Sequence, residues 1–327
     1  MAAKELFAVC ATMIAIMVDC AGSQVSTTQR AKLNLRPIIG ILAQEPSRKM
    51  QRALNGSDYT MYIAASYVKF FETGGARVVP ILINQNETYY RNIVSSVNGL
   101  VFPGGSASIT NSSGYGRAGR LLYDLVLEAA DAGVEIPLMT ICLGFEMLMY
   151  LEADNTRPLV SCKAQDRSDP LYMRPGWNES QLFKEAPGDV IHTLRTTNST
   201  SNFHKYCVIE EVFYGLGLND SYNILSTSYD NDDLEYISTV EHRSLPIYGF
   251  QWHPEKNLFE WGFDSIPHTR DAVRSSQYVV NLFVDKVRLN HQKFATEEEE
   301  LNSLIYNYKP IYIKRLYRSS FEQCYFF

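Results

Sequence analysis

The sequence predicts an α/β protein: a doubly wound, mostly parallel sheet with helices on both faces, carrying surface insertions. Three observations support that expectation. Short apolar runs rich in Ile, Val and Leu recur along the first half of the chain, apolar on consecutive rather than alternate residues, as in strands buried on both faces. Stretches with apolar residues at helical spacing separate these runs, the alternation that builds a parallel sheet. Several runs also stop abruptly at glycine, proline or cysteine, as strands feeding a tight turn do.

In chain order, residues 36–43, RPIIGILA, form a β-branched run starting after Pro37 and read as the first buried strand. Residues 59–73 place Tyr62, Ala65, Ser66 and Phe70 at helical spacing, and Gly74 and Gly75 stop that helix. A second strand over 76–83, ARVVPILI, and a third over 99–102 follow, the third ending in Pro103, Gly104 and Gly105. Residues 121–132 read as a helix and 136–142, IPLMTIC, as another buried strand. From 152 to 202 the pattern breaks into polar, Pro- and Asn-containing sequence, read as an elaborated surface insertion. Residues 222–229, 234–241 and 246–251 are strand-like runs spaced as an antiparallel meander. A long amphipathic helix over 269–289 and an acidic tract over 297–300, read as a solvated helix end or loop, complete the order.

The 327 residues are 46% hydrophobic and 20% charged, the balance of an ordinary folded protein. A formal charge of −6 opposes a nucleic-acid-binding surface. The length would accommodate two domains, but α/β cores of about 200 to 250 residues often form one, so one large domain with insertions is expected. Residues 6–18, LFAVCATMIAIMV, are an uncharged run behind Lys4 and ahead of Cys20, Ala21, Gly22 and Ser23, the pattern of a secretory signal peptide. That run is shorter than the roughly 20 residues a membrane span needs, which disfavours the alternative of an uncleaved anchor. The expected division is a signal peptide over 1–23 and a single catalytic domain over 24–327, with no stable membrane insertion.

N-x-S/T triplets stand at Asn55, Asn86, Asn111, Asn178, Asn198 and Asn219. Composition alone would place about two or three, so the excess agrees with passage through the secretory pathway and with glycosylation at these positions. Cys10 and Cys20 fall in or beside the leader, leaving Cys142, Cys162, Cys207 and Cys324. That is too few for a disulfide scaffold, so the core must be hydrophobic and at least one thiol is available for chemistry.

The apolar strand ending at Cys142 runs directly into Leu143, Gly144, Phe145 and Glu146 and an apolar helical stretch. A cysteine at such a strand-turn-helix corner faces the positive end of the helix dipole, which favours the thiolate. His253 ends the segment YGFQWHPE, with Glu255 two residues on. In extended chain those two side chains share a side, so Glu255 is expected to orient His253 as a base for Cys142. Gly104 and Gly105 let backbone N–H groups approach an oxyanion, with the Leu143 N–H as a third donor. The alternatives are a structural cysteine, a turn histidine and an ordinary βα turn. The six histidines show no HExxH or paired CxxC, and no GxGxxG or Walker loop is present; neither a metal nor a cofactor is expected.

The segments TICLGFE around Cys142, FPGG over 102–105 and QWHPEK over 251–256 resemble class I glutamine amidotransferase-type hydrolases, whose sheet is flavodoxin-like. RPIIGILAQ, YIAASYVKFFETGGARVVPI, NFHKY and SSFEQCYFF resemble, more narrowly, the gamma-glutamyl hydrolase family, over essentially all of residues 36–327. The resemblance implies Cys142 as nucleophile, His253 as general base and Glu255 as third member. It also implies that Tyr67, Glu146 and His204 stand at or beside the active site. The activity implied is hydrolysis of γ-glutamyl amide bonds in folate or antifolate poly-γ-glutamates through a thioester at Cys142, with lysosomal or extracellular residence and a homodimer. One position departs from the family pattern, Thr140 standing where the family has glycine; a β-branched residue there either crowds the turn or is accommodated by the strand. Alternatives are a glutaminase or amidotransferase-type hydrolase and a secreted binding protein with weakened catalysis. Cys162 and Cys324 are candidates to pair, and Cys207 has no assignment.

Overall fold

Burial alternates along the first strand in a way that needs two hydrophobic layers. Ile39 and Ile41 join one buried cluster with Phe71, Val280 and Phe283, while Ile38 and Leu42 join another with Leu100, Leu122 and Leu148. Since successive side chains of a strand point to opposite faces, the sheet carries a packed layer on each side. The structure, a computed structural model, describes residues 32–54, 57–316 and 319–327. The leader, with Cys10 and Cys20, and the triplet at Asn55 lie outside the described residues.

The strands are β1 (Ile38–Leu42), β2 (Tyr62–Ala64), β3 (Arg77–Ile81), β4 (Gly99–Phe102), β5 (Leu138–Ile141), β6 (Val160–Asp169), β7 (Tyr172–Met173), β8 (Thr200–Cys207), β9 (Tyr222–Tyr229), β10 (Glu235–His242), β11 (Ile247–Phe250), β12 (Ile311–Tyr312) and β13 (Gln323–Phe326). The helices are α1 (Arg48–Ala53), α2 (Ala65–Thr73), α3 (Glu87–Ser96), α4 (Gly114–Asp131), α5 (Leu143–Glu152), α6 (Gly188–Thr196), α7 (Glu210–Gly215), α8 (Lys256–Phe259), α9 (Arg270–Val287) and α10 (Glu297–Ser303). Eight strands form the central sheet in the order β3-β1-β4-β5-β11-β10-β9-β7. The first five are parallel, and β10, β9 and β7 continue antiparallel, so the predicted meander closes one side of a doubly wound sheet. Phe250 lies opposite Ile141 in the β11–β5 register, bringing the chain ends that lead to Cys142 and His253 side by side.

Several expectations change in detail. The helix expected over 59–73 begins at Ala65, because residues 62–64 form β2 and pair with β13 at the far end of the chain. The helix expected from residue 121 begins at Gly114, capped by the Ser113 hydroxyl. Its glycines read as loop, yet a Cβ at Gly119 would lie 2.4 Å from Met147, so close helix packing requires the residue that propensity disfavours. The acidic tract lies in the first turn of α10, where Glu300 pairs with Arg77, and the helix expected over 269–289 is α9 behind its Thr269 cap.

The stretch read as a surface insertion is ordered and partly internal. Within it β6 pairs with β8, and Thr200, Ser201 and Asn202 are fully buried. Cys162 and Cys207 join these two strands in a disulfide with a Cα–Cα separation of 5.9 Å. This corrects the suggested pairing of Cys162 with Cys324, which is a free, buried thiol on β13. Adjacency of the two strands decides the pairing, and spacing along the chain carries no such information. Closing a loop of 45 residues restricts the unfolded chain by about 4 kcal/mol on the chain-entropy account. Asn86, Asn111, Asn178 and Asn198 are exposed and Asn219 is half-buried. No helix among the described residues is long and apolar enough to cross a membrane.

Candidate active site

Cys142 occupies the corner between β5 and α5 with φ 52° and ψ −108°. A non-glycine residue in such a region is strained by about 1–3 kcal/mol and is held there only by its surroundings. The Cys142 N–H donates to the Phe250 carbonyl at 2.7 Å and its own carbonyl accepts from Glu146 N–H at 2.9 Å. Two residues on, a Cβ at Gly144 would fall 2.0 Å from the Phe102 carbonyl oxygen, so the turn passes β4 only with glycine there. Thr140 does not crowd it. That side chain is fully buried, and its Oγ1 donates to the Tyr248 carbonyl at 3.2 Å, so β5 accommodates the departure from the family pattern.

Beyond β11 the chain leaves the sheet through Gln251 and Trp252, and the His253 N–H donates to Ser201 of β8 at 2.9 Å. His253 Nδ1 and Glu255 Oε1 lie 2.7 Å apart, both side chains buried. The pairing matches the expectation but not its geometry: Glu255 has helical angles, φ −71° and ψ −27°, so a turn and not an extended strand brings the two together. Burial pushes the His253 pKa below the ordinary histidine value against the opposing pull of Glu255. The imidazole holds Glu255 below the usual carboxylate range despite burial. His253 Nε2 is buried without a hydrogen-bond partner among the described residues.

The pull of the helix dipole toward the Cys142 thiolate is opposed by the rest of the site. Burial, then the carboxylates of Glu146 and Glu255, push the thiol well above its ordinary value, and Lys256 and the Leu143 N–H only partly offset them. A charge at a helix N-terminus gains about 0.3–1 kcal/mol at exposed positions, and desolvation costs more than that in a closed pocket.

The loop after β4 lies against this corner. Its Gly104 N–H donates to the Tyr67 hydroxyl at 2.9 Å, so of the expected oxyanion donors Gly104 is already engaged, the Leu143 N–H faces the Cys142 sulfur and Gly105 is left. Gln44, at the end of β1, donates to Gly104 O at 2.9 Å and accepts from Ser106 N–H at 3.0 Å. A Cβ on Gly105 would fall 1.8 Å from Gln44 Oε1. Gln44 belongs to none of the catalytic motifs in the sequence; its place beyond a parallel strand's C-terminal end, where such sheets bind ligands, is the one signal that marks it. Tyr67 is fully buried on α2, with its hydroxyl 3.3 Å from His253 Nδ1, and burial raises its pKa well above that of ordinary tyrosine.

Two cavities meet at Cys142, Gly105 and Phe203. The larger, of about 570 Å³, is also lined by Glu146, His204, Arg157 and Lys205. The smaller, of about 220 Å³, is lined by His253, Lys256 and residues 319–321. Glu146 is buried, 3.4 Å from the Gln251 amide, and desolvation raises its pKa to about 8. His204 is buried on β8 with Nδ1 3.0 Å from the Tyr206 carbonyl, and desolvation lowers its pKa to about 3. Its neighbours Cys162 and Cys207 complete the one cluster of metal-type side chains among the described residues, but the disulfide leaves those sulfurs without thiolate character.

The peptidase C26 family model matches residues 37–255. The chain is 38% identical over 294 residues to gamma-glutamyl hydrolase of Homo sapiens, covering 89% of this chain and 90% of that one. It is 36% identical over 296 residues to gamma-glutamyl hydrolase 1 of Arabidopsis thaliana, covering 90% and 84%. Gamma-glutamyl hydrolase B of Dictyostelium discoideum is 35% identical over 297 residues, with the same coverage of 90% and 84%. With more than a third of positions identical over most of both chains, across animal, plant and amoebal relatives, this chain belongs to the peptidase C26 family, among the gamma-glutamyl hydrolases.

Proposed function

We propose that this protein is a cysteine hydrolase of γ-glutamyl amide bonds, acting on folate or antifolate poly-γ-glutamates through a single catalytic domain over residues 24–327. The observation that carries the reading is the Cys142 corner opening into one cavity with His253, whose Nδ1 is held by Glu255 at 2.7 Å and whose Nε2 has no partner among the described residues. Nε2 takes the thiol proton as sulfur attacks the γ-carbonyl carbon, and the Gly105 and Leu143 N–H groups receive the oxyanion. The tetrahedral adduct collapses as His253 returns that proton to the leaving nitrogen, which departs as an amine and leaves a thioester. Water, deprotonated by His253, then attacks the thioester carbon, the C–S bond breaks to release the γ-carboxyl product, and His253 returns the proton to the Cys142 sulfur. Tyr67 borders neither cavity; its hydroxyl fixes Gly104 and the imidazole, while Glu146 and His204 face the larger cavity.

The test is hydrolysis of γ-diglutamyl folate, α-diglutamyl folate and glutamine, with product analysis. A γ-linkage presents its carbonyl two methylenes from the α-carbon, whereas an α-linkage holds the reactive atom out of line, and misplacement by about 1 Å costs on the order of 100-fold. Glutamine lacks the leaving glutamate and its binding energy. The γ-linked compound is therefore expected to have the highest kcat/KM by about 100-fold; glutamine equal to it would transfer the reading to a glutaminase.

The leader and the N-x-S/T triplets support entry into the secretory pathway, with lysosomal or extracellular residence. Treatment of the cellular protein with an N-glycan-cleaving enzyme is expected to lower its apparent mass. An unchanged mass together with an N-terminus at Met1 would overturn that placement.

A further inference from the structure

The smaller cavity contains a cation that the mechanism above does not use. Lys256 follows Glu255 directly and begins α8. It is 1% exposed, yet it lines the cavity that also holds Cys142 and His253. The Nζ lies 4.9 Å from the centre of the Phe203 ring and 4.7 Å from that of Phe321, and it donates to the Ser320 carbonyl at 3.3 Å. The buried carboxylates of Glu255 and Glu260 feel this ammonium, which pulls both their pKa values down against the effect of burial, but among the described residues neither lies within ion-pair distance of it, so its direct contacts are one carbonyl and two ring faces. A buried charge in that condition calls for an anion. Lys256 is also the only lysine or arginine among the described residues lining this cavity.

The chemistry of the leaving group identifies which anion. When a γ-glutamyl bond to an α-amino acid is broken, the departing nitrogen is that amino acid's α-amine, and the carbon beside it bears a carboxylate. The side chain that protonates this nitrogen must therefore have a carboxylate close by in every productive complex. His253 and Lys256 share a cavity. We propose that Lys256 binds the α-carboxylate of the leaving amino acid and so makes the enzyme selective for leaving groups with a carboxylate next to the scissile nitrogen. This rests on the γ-glutamyl hydrolase reading and adds a direction to it: the leaving residue occupies the smaller cavity, walled by residues 319–321, and the acyl residue the larger. The wall is tied in place, since the Glu322 N–H donates to Glu260 Oε2 at 2.6 Å and Lys314 pairs with Glu322 at 3.0 Å.

The experiment compares kcat/KM of the full chain on three γ-diglutamyl folates that differ only in the terminal residue: glutamate, its α-carboxamide and its γ-carboxamide. A charge-assisted contact to a carboxylate predicts a loss of about 10- to 100-fold for the α-carboxamide and a much smaller one for the γ-carboxamide. In Lys256→Met the first ratio is expected to fall to within about threefold of unity, and Lys256→Arg to restore most of it. A purely structural lysine would lower activity on all three compounds alike. The wild-type comparison stands even if Lys256→Met fails to fold: equal rates on glutamate and its α-carboxamide overturn the proposal alone. Retention of the full ratio in folded Lys256→Met also overturns it. Failure of the wild-type chain to hydrolyse any of the three overturns the γ-glutamyl hydrolase reading and the proposal together.

Discussion

Cys142→Ala is expected to reduce kcat on a γ-linked polyglutamate by on the order of 10⁴- to 10⁶-fold, the range seen when a nucleophile is removed from a unit whose members act together. The fold should survive. Alanine keeps the Cβ at φ 52°, so the strain of the corner is unchanged, and loss of one buried sulfur shifts Tm by about 2–4 °C per kcal/mol. Single-turnover product release and a thermal melt on the same preparation check both halves. A variant keeping a tenth of the activity would exclude a covalent step at this residue. The resting pair also sets a pH dependence. Burial raises the Cys142 thiol and lowers the His253 imidazole, and both shifts favour the neutral pair over the ion pair. His253 works as a base while unprotonated. Because its pKa is lowered, activity persists below the ordinary histidine range and falls as pH drops through the lowered value.

His253→Ala is expected to be comparably damaging, because without a proton acceptor the neutral thiol cannot be activated, and without a donor the amine cannot leave. Glu255→Gln should lose about one to two orders of magnitude less, since Glu255 orients the ring and does not react. It carries a second signature that simple misfolding would not produce. The Glu255 carboxylate is the largest influence raising the His253 pKa, so its neutralisation should move the acid limb of the kcat/KM profile to lower pH. A limb that stays in place, or moves up, would mean that some other group sets it. The imidazole contact at 2.7 Å is the geometry that this comparison probes.

What could be read from the chain alone was local. Consecutive apolar residues marked β1, β3, β4 and β5 within two or three residues of their ends, because burial on both faces leaves its imprint in each strand's own side chains. The Cys142 corner was legible because a strand, a glycine turn and a helix occur in succession. His253 and Glu255 were legible because they stand two apart. Distant segments could be joined only where a catalytic pattern linked them, as for Cys142 and His253; other long-range meetings were not legible. β2 reads as the start of a helix, and only its partner β13, some 260 residues later, makes it a strand. Cys162 finds Cys207 because β6 and β8 are neighbours. Lys256 reads as one more polar residue after the histidine motif, until Phe203 and Phe321 from two remote segments enclose it. The protonation states were likewise beyond sequence, since the local helix dipole argues for a thiolate and the burial that opposes it is built from the whole fold. Residue type and short spacing determine which groups can react; the low-dielectric surroundings that set their charges, and the cavity walls that select a substrate, exist only once the chain has closed on itself.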